Sequence, residues 1–324
     1  QATGNFGGGG DASMAEMMKA YVDGLVSAVG DSDRVIVTLD ANKDSAALDF
    51  AMVPKPGTRL ARFVTLQLPA DYGLLGKLAQ TTSAMIVAGK LDSGPYRDGM
   101  IDAMVQFLGK SAPKDFGAAV GAIMKAASGD FAMAMQMGPT TAMTVTQLFG
   151  LTDTKTADKA IDRLLDGFKT ARVNTQMGIT TTTKTNPKVS THDGVTLRGY
   201  DINYDLSKAD PATRATMQKM IPTGTMTARV GTFDQTGVLA MATDGAAGAA
   251  SVIDAARKKG KAFVPPAQIT DFLTASKSRK ESVAAVIDFG ALAGLPGPAR
   301  PLMMSFGFAD RNAHVRITLP AMTL

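Results

Sequence analysis

The stretch Gly129-Asp130-Phe131-Ala132-Met133-Ala134-Met135-Gln136-Met137 decides how this chain is read. Phe131, Met133, Met135 and Met137 recur at every second position, separated by Ala and Gln, and a period of two is the mark of a β-strand. Ala142 to Leu148 (AMTVTQL) follows as a second strand. Similar pairs flank it along the chain. Arg34 to Asp40 and Ala46 to Val53 form one, stopped by Pro54-Lys55-Pro56-Gly57, since proline cannot donate to a ladder. Thr191-His192-Asp193-Gly194 reads as a hairpin tip, with Val195 to Tyr204 returning from it. Thr225 to Phe233 and Val238 to Thr243 flank Asp234-Gln235-Thr236-Gly237, and Leu302 to Ala309 pairs through Asp310-Arg311-Asn312 with His314 to Leu319. Ala84 to Leu91 and Ser282 to Phe289 are single strands, and each faintly echoes the other, which suggests an internal duplication.

Helical spacing fills the gaps. Ser13 and Glu16 have capping-box spacing, and Met14, Met17, Met18, Tyr21, Val22, Leu25, Val26 and Val29 form one stripe before Gly30 stops it. A short helical stretch is expected after Leu68-Pro69-Ala70-Asp71, then helices over Tyr96 to Leu108, Ala118 to Ala127 and Ala246 to Lys258. On Tyr96 to Leu108, Met100, Met104, Phe107 and Leu108 share one side. Asp153 is placed to cap a further helix carrying Ala157, Ile161, Leu164, Leu165 and Phe168. Thr180 to Thr185 reads either as an exposed hairpin arm or as a mobile loop. Strands clustered in hairpins between amphipathic helices predict an α+β fold with antiparallel sheet. The expected organisation is a Gly-rich tether over 1–10, an N-terminal α+β half over 11–128 and a C-terminal half over 129–324.

Composition bounds the chemistry. The 324 residues hold no Cys, no Trp and only two histidines, His192 and His314, but 20 Met and 33 Gly. With 45% hydrophobic residues the chain builds a core without disulfide or metal. No stretch approaches the ~18 apolar residues of a membrane-spanning helix. The opening Gln1-Ala2-Thr3-Gly4-Asn5-Phe6, with Gly7 to Gly10 behind it, resembles what remains after a secretory leader is cut, and export is expected.

Catalytic patterns are weak. Neither histidine lies in a zinc-protease pattern, and each reads as a surface or packing residue. Ser111-Ala112-Pro113-Lys114 has Ser-x-x-Lys spacing without its companion elements, and Pro113 reads as a helix start. Gly109-Lys110-Ser111 lacks the earlier glycine of a phosphate loop, because Met104 occupies that place. Gly245-Ala246-Ala247-Gly248 opens a helix where backbone N–H groups meet an anion in some proteins, but close packing is the better account. Asp158, Asp162 and Asp166 share one helical face, with Lys155, Lys159 and Arg163 on adjacent turns, and read as a salt-bridged solvent face.

Two groups remain as candidate binding residues. Arg257, Lys258, Lys259 and Lys261, followed after Pro265-Pro266 by Lys277, Arg279 and Lys280, form the densest basic run in a chain of net charge +5. They would suit an anionic envelope surface or partner; the competing account is two solvated helix ends, where cations favour the dipole. No aromatic residues interleave with them, so nucleic acid is not an expected partner. Met133, Met135 and Met137 would place thioethers on one strand face roughly 7 Å apart, a conceivable Cu(I) site. Phe131 continues that face, so core packing is the expected role, and no cofactor is expected.

Leu68-Pro69-Ala70-Asp71, Gly129-Asp130-Phe131-Ala132, Ala242-Thr243-Asp244-Gly245 before an Ala-rich helix, and the closing Leu319-Pro320-Ala321 resemble features of uncharacterised, exported or lipid-anchored bacterial envelope proteins. The resemblance implies an exported location and a non-enzymatic role; a lipid-anchored member would carry an N-terminal Cys, which this chain lacks. The expected function is therefore an envelope scaffold or assembly subunit working through protein partners or self-association. The alternatives are a hydrolase using carboxylates and a histidine, and a carrier of a hydrophobic ligand or Cu(I) in a Met-lined site.

Overall fold

A computed structural model describes residues 26–41, 45–80, 83–108, 112–138, 141–176, 178–293, 301–308 and 311–320. Among the described residues thirteen strands form one open antiparallel sheet, so the α+β expectation holds in a sheet-dominated form. In chain order they are β1 (Ser32–Ala41), β2 (Ser45–Pro54), β3 (Met85–Lys90), β4 (Ala127–Gly138), β5 (Thr141–Leu151), β6 (Arg172–Gln176), β7 (Ile179–His192), β8 (Val195–Asp205), β9 (Thr225–Phe233), β10 (Thr236–Ala242), β11 (Glu281–Ile287), β12 (Leu302–Gly307) and β13 (Ala313–Pro320). Their spatial order is β1-β2-β13-β12-β11-β3-β4-β5-β10-β9-β8-β7-β6.

The hairpins expected from turn chemistry are present. Asp193 and Gly194 have φ of 49° and 77°, and Asp234 and Gln235 have φ of 44° and 58°, the twin positive values of a tight hairpin turn. The Thr-rich segment lies in β7, paired with β6 on one side and β8 on the other. The divide expected between residues 128 and 129 falls inside β4, and β13 closes against β2, so both halves share the sheet. Residues 1–10 and the helix expected from Ser13 lie outside the described residues until Val26, from which a helical turn runs to Gly30.

Non-local pairing gives the sheet its pattern. About the β11–β3 contact the order reads the same outward in both directions: β12, β13, β2, β1 on one side and β4, β5, β10, β9 on the other. Each side is a single strand, a hairpin, and then a second hairpin supplied from a distant part of the chain. Strands β8, β7 and β6 extend only the β9 side.

The main core lies on one face. Ala88, Ala132, Ala134, Leu148, Val238, Ala240, Ala284 and Val286 meet Ala249, Val252 and Ile253 of the Gly245–Ala256 helix and Ile269 and Phe272 of the Ala267–Ser278 helix. The segment carrying Ala70, Tyr72, Leu75 and Leu78 completes it, with a 3-10 turn at Leu75–Lys77 where a short helix was expected. The sheet contributes mostly small residues here, which lets helix and sheet approach closely.

Other helices pack against the opposite face or at the ends of the sheet. Arg59–Leu66, capped by Thr58 and unanticipated from the sequence, buries Leu60 and Val64 against Ala313 and Met52. Arg97–Leu108 follows β3, Phe116–Ala126 precedes β4, and Thr154–Asp166 lies over β9. Pro211–Met220, also unanticipated, and the short Phe289–Ala293 stand at the other end, against β5 and β4.

Candidate functional site, the methionine-lined face of the sheet

Residues directly opposite in an antiparallel ladder point to the same side, so the register maps this second face. One row crosses ten strands: Leu39, Leu48, Ile317, Met304, Ala285, Val87, Met133, Gln147, Leu239 and Val230. A neighbouring row runs Leu302, Ile287, Met85, Met135, Val145 and Met241. Apart from Gln147 and the small, buried Ala285, these side chains are large and apolar, and most are half-buried rather than enclosed. Leu39 alone of the two rows is exposed, and the partial exposure of the others leaves an apolar strip that a further apolar group could cover favourably.

The first row is also palindromic about Val87 and Ala285. Met133 corresponds to Met304, Leu239 to Leu48 and Val230 to Leu39. Only Gln147 breaks the apolar pattern, opposite in position to Ile317.

Met133, Met135 and Met137 therefore do not pack the main core, and the expected role is corrected: Ala132 and Ala134, the residues between them, do so. Both faces of β4 are apolar, so alternation alone does not say which one the helices cover. Met85 stands directly across from Met135, adding a sulfur to the same face. Among the described residues no group of three His, Asp or Glu side chains is arranged to hold a metal ion.

A cleft of 480 Å³ opens at one end of this face, between β4–β5 and the helices Arg97–Leu108 and Phe116–Ala126. Phe131 and Phe149, cross-strand neighbours, form its floor beside Gln147, with Met100 and Met124 on the wall. Gly237 lies opposite Phe149, and a Cβ there would run into the Phe149 ring, so this glycine sets how the ring lies. Met100 and Met104 are 43% and 45% exposed, and Met100 faces the cleft.

Charges gather at the rim. Arg97 lies 3.8 Å from Asp92 and donates to Ser93 Oγ at 3.3 Å. The Ser128 hydroxyl donates to Asp130 at 2.8 Å, and Lys90 approaches the same carboxylate at 3.5 Å. Lys125, in the last turn of its helix, also lines the cleft and makes no ion pair among the described residues. Asp130 and Ser128 also border a more polar cleft of 730 Å³ on the opposite side of the strand ends, which Lys77 and Asp71 line as well.

Three of the seven residues of the basic run are engaged in ion pairs. Arg257 pairs with Asp193 at 2.9 Å and Asp234 at 3.0 Å, Lys259 with Asp193 at 2.6 Å, and Arg279 with Glu281 at 2.8 Å. Hydrogen bonds from Lys259 and Arg257 hold the Asp193 carboxyl down at about 2. Lys258 and Lys280 follow their helices in the left-handed conformation, with φ of 60° and 58°. Lys277 sits in the last turn of its helix, and Lys261 uses its carbonyl to accept the Gln80 N–H at 2.9 Å. These placements fit helix-end cations and internal clasps.

The remaining motifs resolve locally. His192 Nε2 lies 2.7 Å from Asp254, the base-orienting half of a triad, but no hydroxyl joins it among the described residues. His314 is in β13, far across the sheet from β7. Asp158 and Asp162 do not form a solvent face with their own helix's lysines. They reach Arg198 of β8 at 2.6 and 2.8 Å, because the helix lies against the sheet there, while Asp166 pairs with Lys169 at 2.9 Å. Gly245 packs where a Cβ would strike the Thr227 carbonyl, and its N–H donates to the Thr227 hydroxyl, so close packing is its role. Ser111 and the Gly109–Ser111 tripeptide lie outside the described residues. Among the described residues no helix is long and apolar enough to cross a membrane. No protein-family model, no curated protein and no solved structure matches this chain.

Proposed function

We propose that this chain is a non-enzymatic binding protein of the cell envelope that holds an elongated apolar ligand, of the acyl-chain class, along its methionine-lined face. One observation carries the reading: rows of partly buried, mostly apolar side chains lead into a cleft whose floor is aromatic and whose rim is charged. Methionine suits such a face, because its unbranched thioether adapts to irregular chains. Ligand pockets of ~300–1,000 Å³ with an apolar lining and few polar groups are the common form of small-molecule sites. Arg97 and Lys125 at the rim suit an anionic head group, with Gln147 as the polar contact inside.

The palindromic row also supports an internal duplication. In the echo between Ala84–Leu91 and Ser282–Phe289, Val87 corresponds to Ala285, and the register sets these two opposite each other, as a two-fold axis through the pair requires. The ligand face is then the shared surface of two exchanged halves.

Displacement of a dansyl-labelled fatty acid by oleate tests the ligand reading. Saturable binding is expected, and Met133→Glu should weaken it at least about tenfold, because a charge in an apolar contact is costly. Absence of binding by fluorescence and by native mass spectrometry would sink the proposal. The second reading, an assembly subunit, is favoured by the exposed edge strand β1.

A further inference from the structure

We infer that two copies of this chain pair through β1, antiparallel, about a two-fold axis at Val37. This goes beyond the ligand reading and does not depend on it. β1 is an outer edge of the sheet, so its backbone groups on one side face no described strand. Val35, Ile36, Val37 and Leu39 are 45%, 46%, 58% and 71% exposed. Proteins ordinarily guard such edges with proline, lysine or brevity. The opposite edge, β6, follows that rule with five residues, Arg-Val-Asn-Thr-Gln. β1 is ten residues long and holds no proline or lysine; its ladder irregularity lies at its start, between Ser32 and Arg34, and its charges stand towards its two ends, leaving Val35–Leu39 regular and uncharged.

The sheet's own pattern says what belongs there. Strand β9 occupies the place of β1 on the other side of the β11–β3 contact, and its outer edge is covered antiparallel by β8. The equivalent position beside β1 has no such strand among those described.

The sequence of β1 selects a second copy. A two-fold axis between antiparallel strands requires one residue to face its own copy. With Val37 at that place, Arg34 of each chain faces Asp40 of the other, Val35 faces Leu39, and Ile36 faces Thr38. Arg34 makes no ion pair among the described residues, and the Asp40 side chain is 62% exposed, 3.6 Å from Arg316. Centring on Ile36 sets Arg34 against Thr38, and centring on Thr38 sets Asp40 against Ile36; both lose the two ion pairs. Val35, Val37 and Leu39 share the methionine-lined side, so the apolar face continues across the junction.

Sedimentation of the full chain tests this. A dimer is expected, weakened about tenfold by Arg34→Asp, which turns two attractions into repulsions, and restored by combining Arg34→Asp with Asp40→Arg. The chain has no cysteine, so Val37→Cys adds one thiol, which should cross-link rapidly to its own copy, while Thr232→Cys should not. A wild-type monomer at ~100 µM, well above the expected dissociation constant of a ten-residue edge pairing with two ion pairs, would overturn the proposal. So would a dimer indifferent to both charge reversals, or a Val37→Cys chain that stays uncross-linked under oxidation.

Discussion

Met133 and Met304 stand at matching distances on either side of the Val87–Ala285 pair, one opposite Val87 and the other opposite Ala285. Three strand spacings, about 14 Å, separate them on one apolar face. A ligand lying along the row meets both. Met304→Glu should therefore weaken fatty-acid binding as Met133→Glu does, although the two residues lie in different parts of the chain. Both are half-buried, so the melting temperature should move little. Loss in one variant alone, measured by dye displacement, would confine the ligand to one side.

Gly237 is required by the Phe149 ring. Gly237→Ala should push that ring into the cleft and destabilise the fold by about 1–3 kcal/mol, the usual cost of overpacking. Urea melts measure the stability. Fatty-acid binding should fall in the same variant, since the floor and the space above it change together.

The hairpins were legible because their signals are local. Asp193-Gly194 and Asp234-Gln235 mark turns, and alternation marks β4. The pairing of β13 with β2 and β11 with β3 left no local trace, because register across distant segments depends on contacts that no short window contains. Arg59–Leu66 is amphipathic, with Leu60, Phe63 and Val64 at helical spacing, but eight residues directly after the Pro54-Lys55-Pro56-Gly57 turn are too few for that pattern to stand out. The methionines were correctly placed on one face. Which face was open followed only from the helices: alanine on the other side accepts them closely, and methionine does not.

Arg198 illustrates how a helix is fixed to the sheet. Its guanidinium side chain is 16% exposed and is held between Asp158 and Asp162. Arg198→Ala should cost about 2–3 kcal/mol, less than the ~3–5 kcal/mol of a fully buried pair, because the two carboxylates keep access to water. Arg198→Lys should recover only part of this, since a point charge does not span both acids. Urea unfolding of the two variants checks the order.

Lys258 and Lys280 hold positions at which glycine is the usual residue. Each follows a helix with positive φ, and an L side chain there is strained. Lys258→Gly and Lys280→Gly should each stabilise the protein by about 0.5–1 kcal/mol, and the two effects should add, since the helices they end are separate. Thermal melts give the test. Unchanged or lowered stability would mean that the lysine side chains contribute more than their backbone strain costs.

Asp193 gives the fold a defined acid dependence. Its carboxyl is held at about 2 by hydrogen bonds from Lys259 and Arg257, below the ~3.9 of an unfolded aspartate. The charged form is thus favoured in the folded state, and the stabilisation is fully present above pH ~4 and is lost as pH falls through about 2. Asp193→Asn should therefore be less stable than the parent at neutral pH, with the gap closing between pH ~4 and 2. At high salt the gap should narrow at every pH, because the clasp is open to solvent. A gap constant from pH 7 down to 2 would show that the Asp193 carboxylate charge contributes nothing to the clasp.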